Sequence, residues 1–506
     1  MAEPKKRPRA ASDGTIISDL KAWIRSSGGC CHEAITFDEE TRTLKVTQAL
    51  EADTCVLCIP SKCLVNRQAA TSTSSVVSER LYQELLQEQQ QQQKQSSSLL
   101  HIPADDIVVA WFLATRPTAW QAYINSLPMT AIGDAMPRNW PVDLLESALQ
   151  GSYLRPRVDE QKKCVQQAYD AIKKKCMGAV RNGDCSASTA ADTTTAAAMP
   201  DFAAFDQALA VVSSRAFCGK EHANATTLVP LLDLCNHQRS VPKNLRYSWQ
   251  KDNDGNDENR YHMVVHTTRA VAKGDALCIT YGAQSNGQLL LNYGFCVSPN
   301  VEPDGSSNDI YEFHVSPSEI VVLRMGHRRY TYGPLVQVLE ALGPKNNEAA
   351  SAVGGDDGFD NVHEPNDMED FLNECEEEDE HCGDSCMYMG AMSDNEDYGG
   401  DFGVEEQKDF DRKALQSFQV RLGSLLQSYP SHTVERQNDL RTKYAQILLD
   451  SEQEILRFYQ AVAEQLLSNL GDEVKETTAN IHLTKARQEQ AQSLVDAFLQ
   501  IRYSAL

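Results

Sequence analysis

The sequence predicts an α+β fold in which a β-rich domain, interrupted by a helical stretch, is followed by an all-helical domain. Three observations predict it. Short β-type segments, Arg42–Thr47, Thr54–Ile59, Tyr261–His266 and Ala276–Tyr281, are parted by turn residues such as Lys273-Gly274-Asp275. Apolar residues near the end recur every three or four positions, at Leu415, Phe418, Leu422, Leu425 and Tyr429, then at Tyr444, Leu448, Ile455, Phe458 and Val462. Between the β-type segments, Asp106 to Leu127 reads as helix and carries Trp111 and Trp120.

A chain of 506 residues exceeds what one hydrophobic core usually holds, so two domains with low-complexity interruptions are expected. Residues 1–15 read as a basic, disordered tail and 16–300 as the β-rich domain, with an inserted helical subdomain over about 106–180. Runs rich in Gln and Ser (87–98) and in Ala and Thr (186–198) are expected to be exposed loops. Residues 301–350 and 408–506 are expected to form the helical domain. The acidic stretch 351–407 splits it and has too few large aliphatics to order itself.

The formal net charge of -24 is not spread evenly, because residues 356–406 hold 20 acidic residues and no Lys or Arg. The rest of the chain is close to neutral, which argues against a duplex nucleic-acid binder and suits a partner with a basic surface. No segment approaches eighteen consecutive apolar residues and no signal peptide opens the chain, so neither a membrane span nor secretion is expected. Lys5-Lys6-Arg7-Pro8-Arg9 fits either a tail or a nuclear import signal; cytoplasm is placed ahead of nucleus. The fifteen cysteines are scattered among apolar neighbours, as reduced core residues are. Cys30-Cys31-His32, Cys55/Cys58/Cys63 and Cys375/Cys382/Cys386 each hold part of a metal-ligand spacing, none completes a zinc pattern, and no metal is expected.

The chemistry-bearing text is Leu228-Val-Pro-Leu-Leu-Asp-Leu-Cys-Asn-His237, followed after a hairpin by Ile279-Thr-Tyr-Gly and then Ser285-Asn286 and Tyr293-Gly-Phe295. Singly, Asn236-His237 reads as a turn and Tyr281 as a packed strand end. In this order they resemble the SET-domain methyltransferases, specifically the branch of the Rubisco large-subunit lysine methyltransferase. Ser213-Ser-Arg-Ala-Phe217 and Trp120-Gln-Ala-Tyr-Ile-Asn-Ser-Leu-Pro128 also match that branch, and the helical tail is similar to its substrate-binding domain.

The resemblance implies a β-rich SET domain whose chain passes through its own loop, the cofactor S-adenosylmethionine, and a lysine of another protein as methyl acceptor. It implies that Arg215, Asn236, His237 and Tyr281 bind the cofactor, with Tyr281 aimed at the transferred methyl. Phe217, Asp233 and Tyr293 would face the substrate. The branch normally has a Gly-x-Gly turn before the strand of its N-terminal motif, whereas this chain has Asp38-Glu-Glu-Thr-Arg-Thr-Leu44. That departure supports a second reading, a non-catalytic SET-like interaction module. A third, a histidine-directed enzyme of the same branch, is opposed by Phe217 and Leu232, which stand where the actin-histidine member has Asn and Trp. Methylation degree and oligomeric state are not readable.

Overall fold

The computed structural model describes residues 13–38, 42–73, 77–93, 101–181, 199–218, 225–239, 243–251, 261–302, 305–326, 328–344, 403–430, 439–472 and 483–504. In chain order they form α1 (Asp13–Ser26), β1 (Cys30–Cys31), β2 (Ile35–Asp38), β3 (Thr43–Val46), β4 (Cys55–Ile59), β5 (Val65–Asn66), α2 (Arg67–Thr73), α3 (Glu79–Gln93), α4 (Ala104–Ala114), α5 (Gln121–Ser126), α6 (Met129–Ala135), α7 (Val142–Ala148), α8 (Leu154–Arg181) and α9 (Phe202–Arg215). There follow β6 (Ala216–Cys218), β7 (Thr226–Leu228), β8 (Asn236–His237), β9 (Leu245–Lys251), β10 (Tyr261–Thr267), β11 (Cys278–Ile279) and α10 (Asn286–Tyr293). The chain closes with β12 (Ile310–Ser316), β13 (Glu319–Arg324), α11 (Arg328–Leu342), α12 (Val404–Ser428), α13 (Leu440–Asn469) and α14 (Lys485–Ser504).

The strands make small sheets. The largest has the order β1-β4-β10-β9, another has β5-β7-β6, and β2-β3, β11-β8 and β12-β13 are pairs. All are antiparallel except β11-β8, whose parallel register sets Cys278 against Asn236 and Ile279 against His237. A parallel pair needs a crossover, and here β9 and β10 supply it, paired to each other from Tyr261↔Lys251 to Thr267↔Leu245.

Four expectations are corrected in detail. The helix read over Asp106–Leu127 is broken: Pro117 cannot continue it, and a 3₁₀ turn over Thr118–Trp120 separates α4 from α5. Residues 87–93, read as loop, are helical, because Gln is a good helix former and Leu81, Tyr82 and Leu85 bury one side of α3. Residues 301–350 begin not with a helix but with the β12-β13 hairpin, whose alternating burial packs Tyr311, Phe313 and Val315 inward. Helix α12 starts at Val404, inside the stretch read as an acidic insert. The basic run at Lys5–Arg9, the Ala/Thr run at 186–198 and most of the acidic stretch lie outside the described residues.

Two hydrophobic cores result. The first joins α1, every sheet but β12-β13, α4 and α9, with Trp111, Phe112 and Phe205 fully enclosed. The second joins α7, the start of α8, α10, the β12-β13 hairpin and the C-terminal helices around Phe313, Phe418, Phe458, Tyr459 and Phe498. Tyr281 packs on the first, while Leu290 and Leu291 of α10 belong to the second. The elements carrying the motif residues therefore meet where the cores abut.

Candidate active site

Helix α9 delivers the first of these residues. Its N-cap Asp201 accepts a hydrogen bond from the Ala204 amide at 2.8 Å. Asp206, within it, is bonded by Arg138 at 2.7 Å, with side chains only 7% and 3% exposed, which locks the helix to the inserted subdomain. At its far end Arg215 donates from Nη1 to the Asp233 carbonyl. The Asp233 side chain is itself buried, and its Oδ2 accepts the Tyr123 hydroxyl at 2.7 Å. Burial pushes the Asp233 carboxyl up to about 6, against the opposing pull of the Arg215 guanidinium and the Tyr123 hydroxyl. Just before it, buried Leu231 takes φ 70°, a conformation that costs a non-glycine residue of order 1–3 kcal/mol and that gathers at functional sites.

The parallel β8-β11 pair delivers the rest. Because β11 runs beside β8, the chain leaves it next to His237, and the Tyr281 amide donates to His237 Nδ1 at 3.0 Å. The Tyr281 hydroxyl donates to the Cys235 carbonyl at 2.9 Å. Its ring stacks with those of His237 (5.1 Å, 30°) and Tyr293 (5.1 Å, 19°), and Phe295 stands edge-on to it at 6.3 Å. Burial, the largest cause, and the nearby Arg239 push His237 down to about 4, so it is neutral near pH 7. With Nδ1 accepting, the proton sits on Nε2. Burial also raises the Tyr281 phenol, which stays a donor.

Tyr293 ends α10, and the start of that helix is fixed by a capping box. Ser285 Oγ accepts from the Gln288 amide and the Gln288 side chain accepts from the Ser285 amide. Gly294 ends the helix at φ 76°, where a Cβ would also meet the Ala135 Cβ at 2.7 Å, so both backbone and space demand glycine.

The structure thus brings together Arg215, Asp233, His237, Tyr281 and Tyr293. Asn236 is exposed on β8, whose sole strand partner among the described residues is β11. Phe217, half-buried in β6, has its ring edge-on to Tyr247 at 5.3 Å. The N-terminal motif reaches the same place, since the Leu277 amide donates to the Leu44 carbonyl at 2.8 Å. In that motif Arg42 takes φ 50°, a left-handed conformation at which glycine is ordinary.

Sequence reasoning missed Tyr123, Cys235 and Phe295. The first two act through partners distant in sequence, a phenol on a carboxyl and a carbonyl under a phenol, although all three lie within the motif segments of the sequence. Three buried polar atoms here have no hydrogen-bond partner among the described residues: Arg215 Nε, Asp233 Oδ1 and His237 Nε2. Two are donors and one is an acceptor, the set wanted by a ligand that carries both an anionic and a cationic group. Among the described residues no group of three or more His, Cys, Asp or Glu is placed to hold a metal ion. No described helix is long and apolar enough to cross a membrane.

No family model matches the sequence. Over 94 residues, 18% of this chain and 16% of the relative, it is 34% identical to the ribosomal lysine N-methyltransferase set10 of Schizosaccharomyces pombe. Over 90 residues, 18% of this chain and 14% of the relative, it is 36% identical to the protein-lysine N-methyltransferase EFM1 of Saccharomyces cerevisiae. The matched segments are thus a small part of these relatives. The solved structure of the SET domain of LSMT bound to lysine and AdoHcy is similar over 91% of this chain and 93% of that one, with TM-score 0.60 and 16% identity. Rubisco LSMT bound to AdoMet is similar over 90% and 93%, with TM-score 0.58 and 14% identity. From β-rich region through inserted helices to C-terminal bundle, the chain carries the SET-domain fold of the Rubisco LSMT structures.

Proposed function

We propose that the chain transfers a methyl group from S-adenosylmethionine to the ε-amine of a lysine on another protein. The observation that carries this reading is the Tyr281 group: a phenol held on the Cys235 carbonyl and stacked with both His237 and Tyr293. Its support from relatives is that the fold is that of structures bound to lysine and AdoHcy, and that both curated relatives are named lysine methyltransferases.

The unpartnered atoms fit the cofactor. Arg215 Nε and His237 Nε2 would donate to it, Asp233 Oδ1, expected on the substrate side, would here accept from it, and the backbone of Asn236-His237 would face its adenine. S-adenosylmethionine supplies, when bound, a sulfonium-activated methyl group. The protein must supply a neutral amine, whereas free lysine has a pKa of about 10.4. Aromatic walls of Tyr281, Tyr293 and Phe295 disfavour the ammonium by desolvation, and a drop of about two units corresponds to about 2.7 kcal/mol. The Tyr281 and Cys235 oxygens are fixed dipoles that can stabilise the positive charge as it moves toward nitrogen, without reorganising. Arg42 reaches a glycine-like φ of 50° without a glycine, at a cost of about 1–3 kcal/mol, so the departure in the N-terminal motif leaves its turn able to form.

The acceptor is assigned as lysine over histidine. An imidazole needs its second nitrogen hydrogen-bonded to fix which nitrogen attacks, and the ring of Phe217, packed on Tyr247, offers no such group. A partner with a basic surface is favoured by the charge of residues 356–406. Transfer of labelled methyl into a lysate, followed by acid hydrolysis, tests the proposal: methyllysine is expected. Methylhistidine alone would move the chain to the histidine-directed class, and absence of label with absence of cofactor binding would make it an interaction module.

A further inference from the structure

Away from the pocket, a carboxyl lies fully enclosed in the second core. Glu452 of α13 has no exposed surface. Its Oε1 is 2.6 Å from Ser152 Oγ, in the turn between α7 and α8, and its Oε2 is 2.8 Å from the Tyr429 hydroxyl at the end of α12. Both partners are hydroxyls, and among the described residues no cation pairs with it. Three separate elements are therefore tied by one side chain.

The tie extends to the pocket. Tyr153, next to Ser152, stands over the start of α10: its hydroxyl is 2.1 Å from where a Cβ on Gly287 would be, and it bonds Ser285, the N-cap of that helix. Asp309 grips the same turn, accepting from the Asn286 amide at 2.7 Å and the Asn286 side chain at 3.0 Å. Helix α10 also packs on α13 itself. At the other end of α10 is Tyr293, stacked on Tyr281.

We propose that Glu452 is a positioning residue: it clamps the C-terminal bundle to the start of α10 and so sets Tyr293 against Tyr281. A neutral carboxyl keeps both contacts by donating one hydrogen bond and accepting the other, and burial favours that form over the ionised one. A buried carboxylate held by two hydroxyls has no counter-charge, and the other groups around it make its position worse. Asp309 and Glu312 of the hairpin region raise it by repulsion, and Arg157 is already taken by Glu312 and Glu160. Tyr153, Tyr311, Tyr429 and Cys296, the remaining titratable groups facing it, are all pushed up by burial and stay neutral. Burial is the largest cause and, against the opposing pull of the Ser152 and Tyr429 hydroxyls, pushes Glu452 from 4.5 up to about 8. A folded-state value raised in this way gives stability that is complete below pH 4.5 and is lost as pH rises through about 8.

This inference rests on the proposed methyl transfer only for its effect on turnover, so the experiment reads α10 separately. Hydrogen exchange of the α10 amides, corrected for the intrinsic rate, is measured on the full chain at pH 7 and pH 9, beside thermal melts and kcat with labelled cofactor. In the wild type, protection of α10 and kcat should each fall about tenfold between the two pH values, with KM for the cofactor within about twofold. In Glu452→Gln, whose amide mimics the neutral acid, both should stay within about twofold. The same pH course in both proteins, or a variant that does not melt cooperatively at pH 7, would overturn the clamp. If neither protein transfers methyl at any pH, the functional reading fails while α10 protection still decides the role of Glu452.

Discussion

The pocket around Tyr281 and the buried cluster around Glu452 are built from the same materials, phenols, carboxyls and hydroxyls out of water, yet they are finished differently. At Glu452 and Asp309 every carboxyl oxygen has a hydrogen-bond partner. At the pocket, Asp233 Oδ1, Arg215 Nε and His237 Nε2 have none among the described residues. An unpaired buried polar atom costs about 1–3 kcal/mol; others occur singly elsewhere, at Trp111 Nε1 and Thr442 Oγ1 for instance, but here three belong to side chains that the motif brings together. The satisfied cluster ties separate elements together, whereas the unsatisfied one is where the proposed function places its ligand.

The sharpest way to break that contrast is to remove the hydroxyl that the pocket uses and leave its ring. Tyr281→Phe keeps the stacking on His237 and Tyr293 but loses the bond to Cys235. Cofactor binding by calorimetry should survive, while turnover falls roughly a hundredfold, about 2.7 kcal/mol of transition-state stabilisation. An unchanged rate would show that another group faces the methyl.

A smaller effect should be visible without any turnover. The Asp233 carboxyl, raised from 3.8 to about 6, stabilises the fold fully only below pH 3.8, and that stability is lost as pH rises through about 6. Relative to Asp233→Asn, the wild-type melting temperature should therefore drop by a few degrees between pH 4 and pH 7. Saturating S-adenosylmethionine should narrow the gap, because a ligand that answers the open oxygen stabilises the folded state. A wild type and variant that melt in parallel across this range would mean that Asp233 is neutral throughout or finds another partner.

How much of this was legible follows the same division. The β-type segments and the C-terminal periodicity gave the architecture, since burial in strands and helices imposes a period on the sequence. The motif residues Arg215, Asp233, His237, Tyr281 and Tyr293 could be named in advance because their text is specific, and the fold brings them together. Tyr123 on Asp233, Ser152 on Glu452 and the strained Leu231 could not. The first two are contacts across 110 and 300 residues of sequence, and a leucine carries no mark of the φ it will adopt. Residues 87–93 misled for the opposite reason: low complexity suggested a loop, whereas a few buried side chains upstream suffice to continue a helix.

On the side of the satisfied cluster, the cap of α10 offers a graded test. Ser285→Ala removes the acceptor for the Gln288 amide and the partner of Tyr153. Loss of such a cap costs about 1 kcal/mol, measured as a shift in denaturation midpoint with unchanged slope. If Tyr293 depends on α10 as argued, turnover should fall by more than stability alone explains, whereas a purely structural cap would leave kcat intact in the folded fraction.

The smallest effect is expected from the longest change, removal of residues 351–400. The cut must stop there rather than at 406, because α12 begins at Val404 and packs on α13 through Phe418 and Leu422. With few large aliphatics, the deleted stretch has little apolar surface to bury, so melting temperature and cofactor affinity should stay within error of the intact chain. Its acidity is the reason to look further. If it attracts a basic protein substrate, the deletion should slow capture at low ionic strength and become neutral near 0.5 M salt, where the screening length is only about 4 Å. A loss of substrate binding that persists in high salt would instead assign the stretch a specific docking role, and no change at either ionic strength would leave recognition to the folded domains.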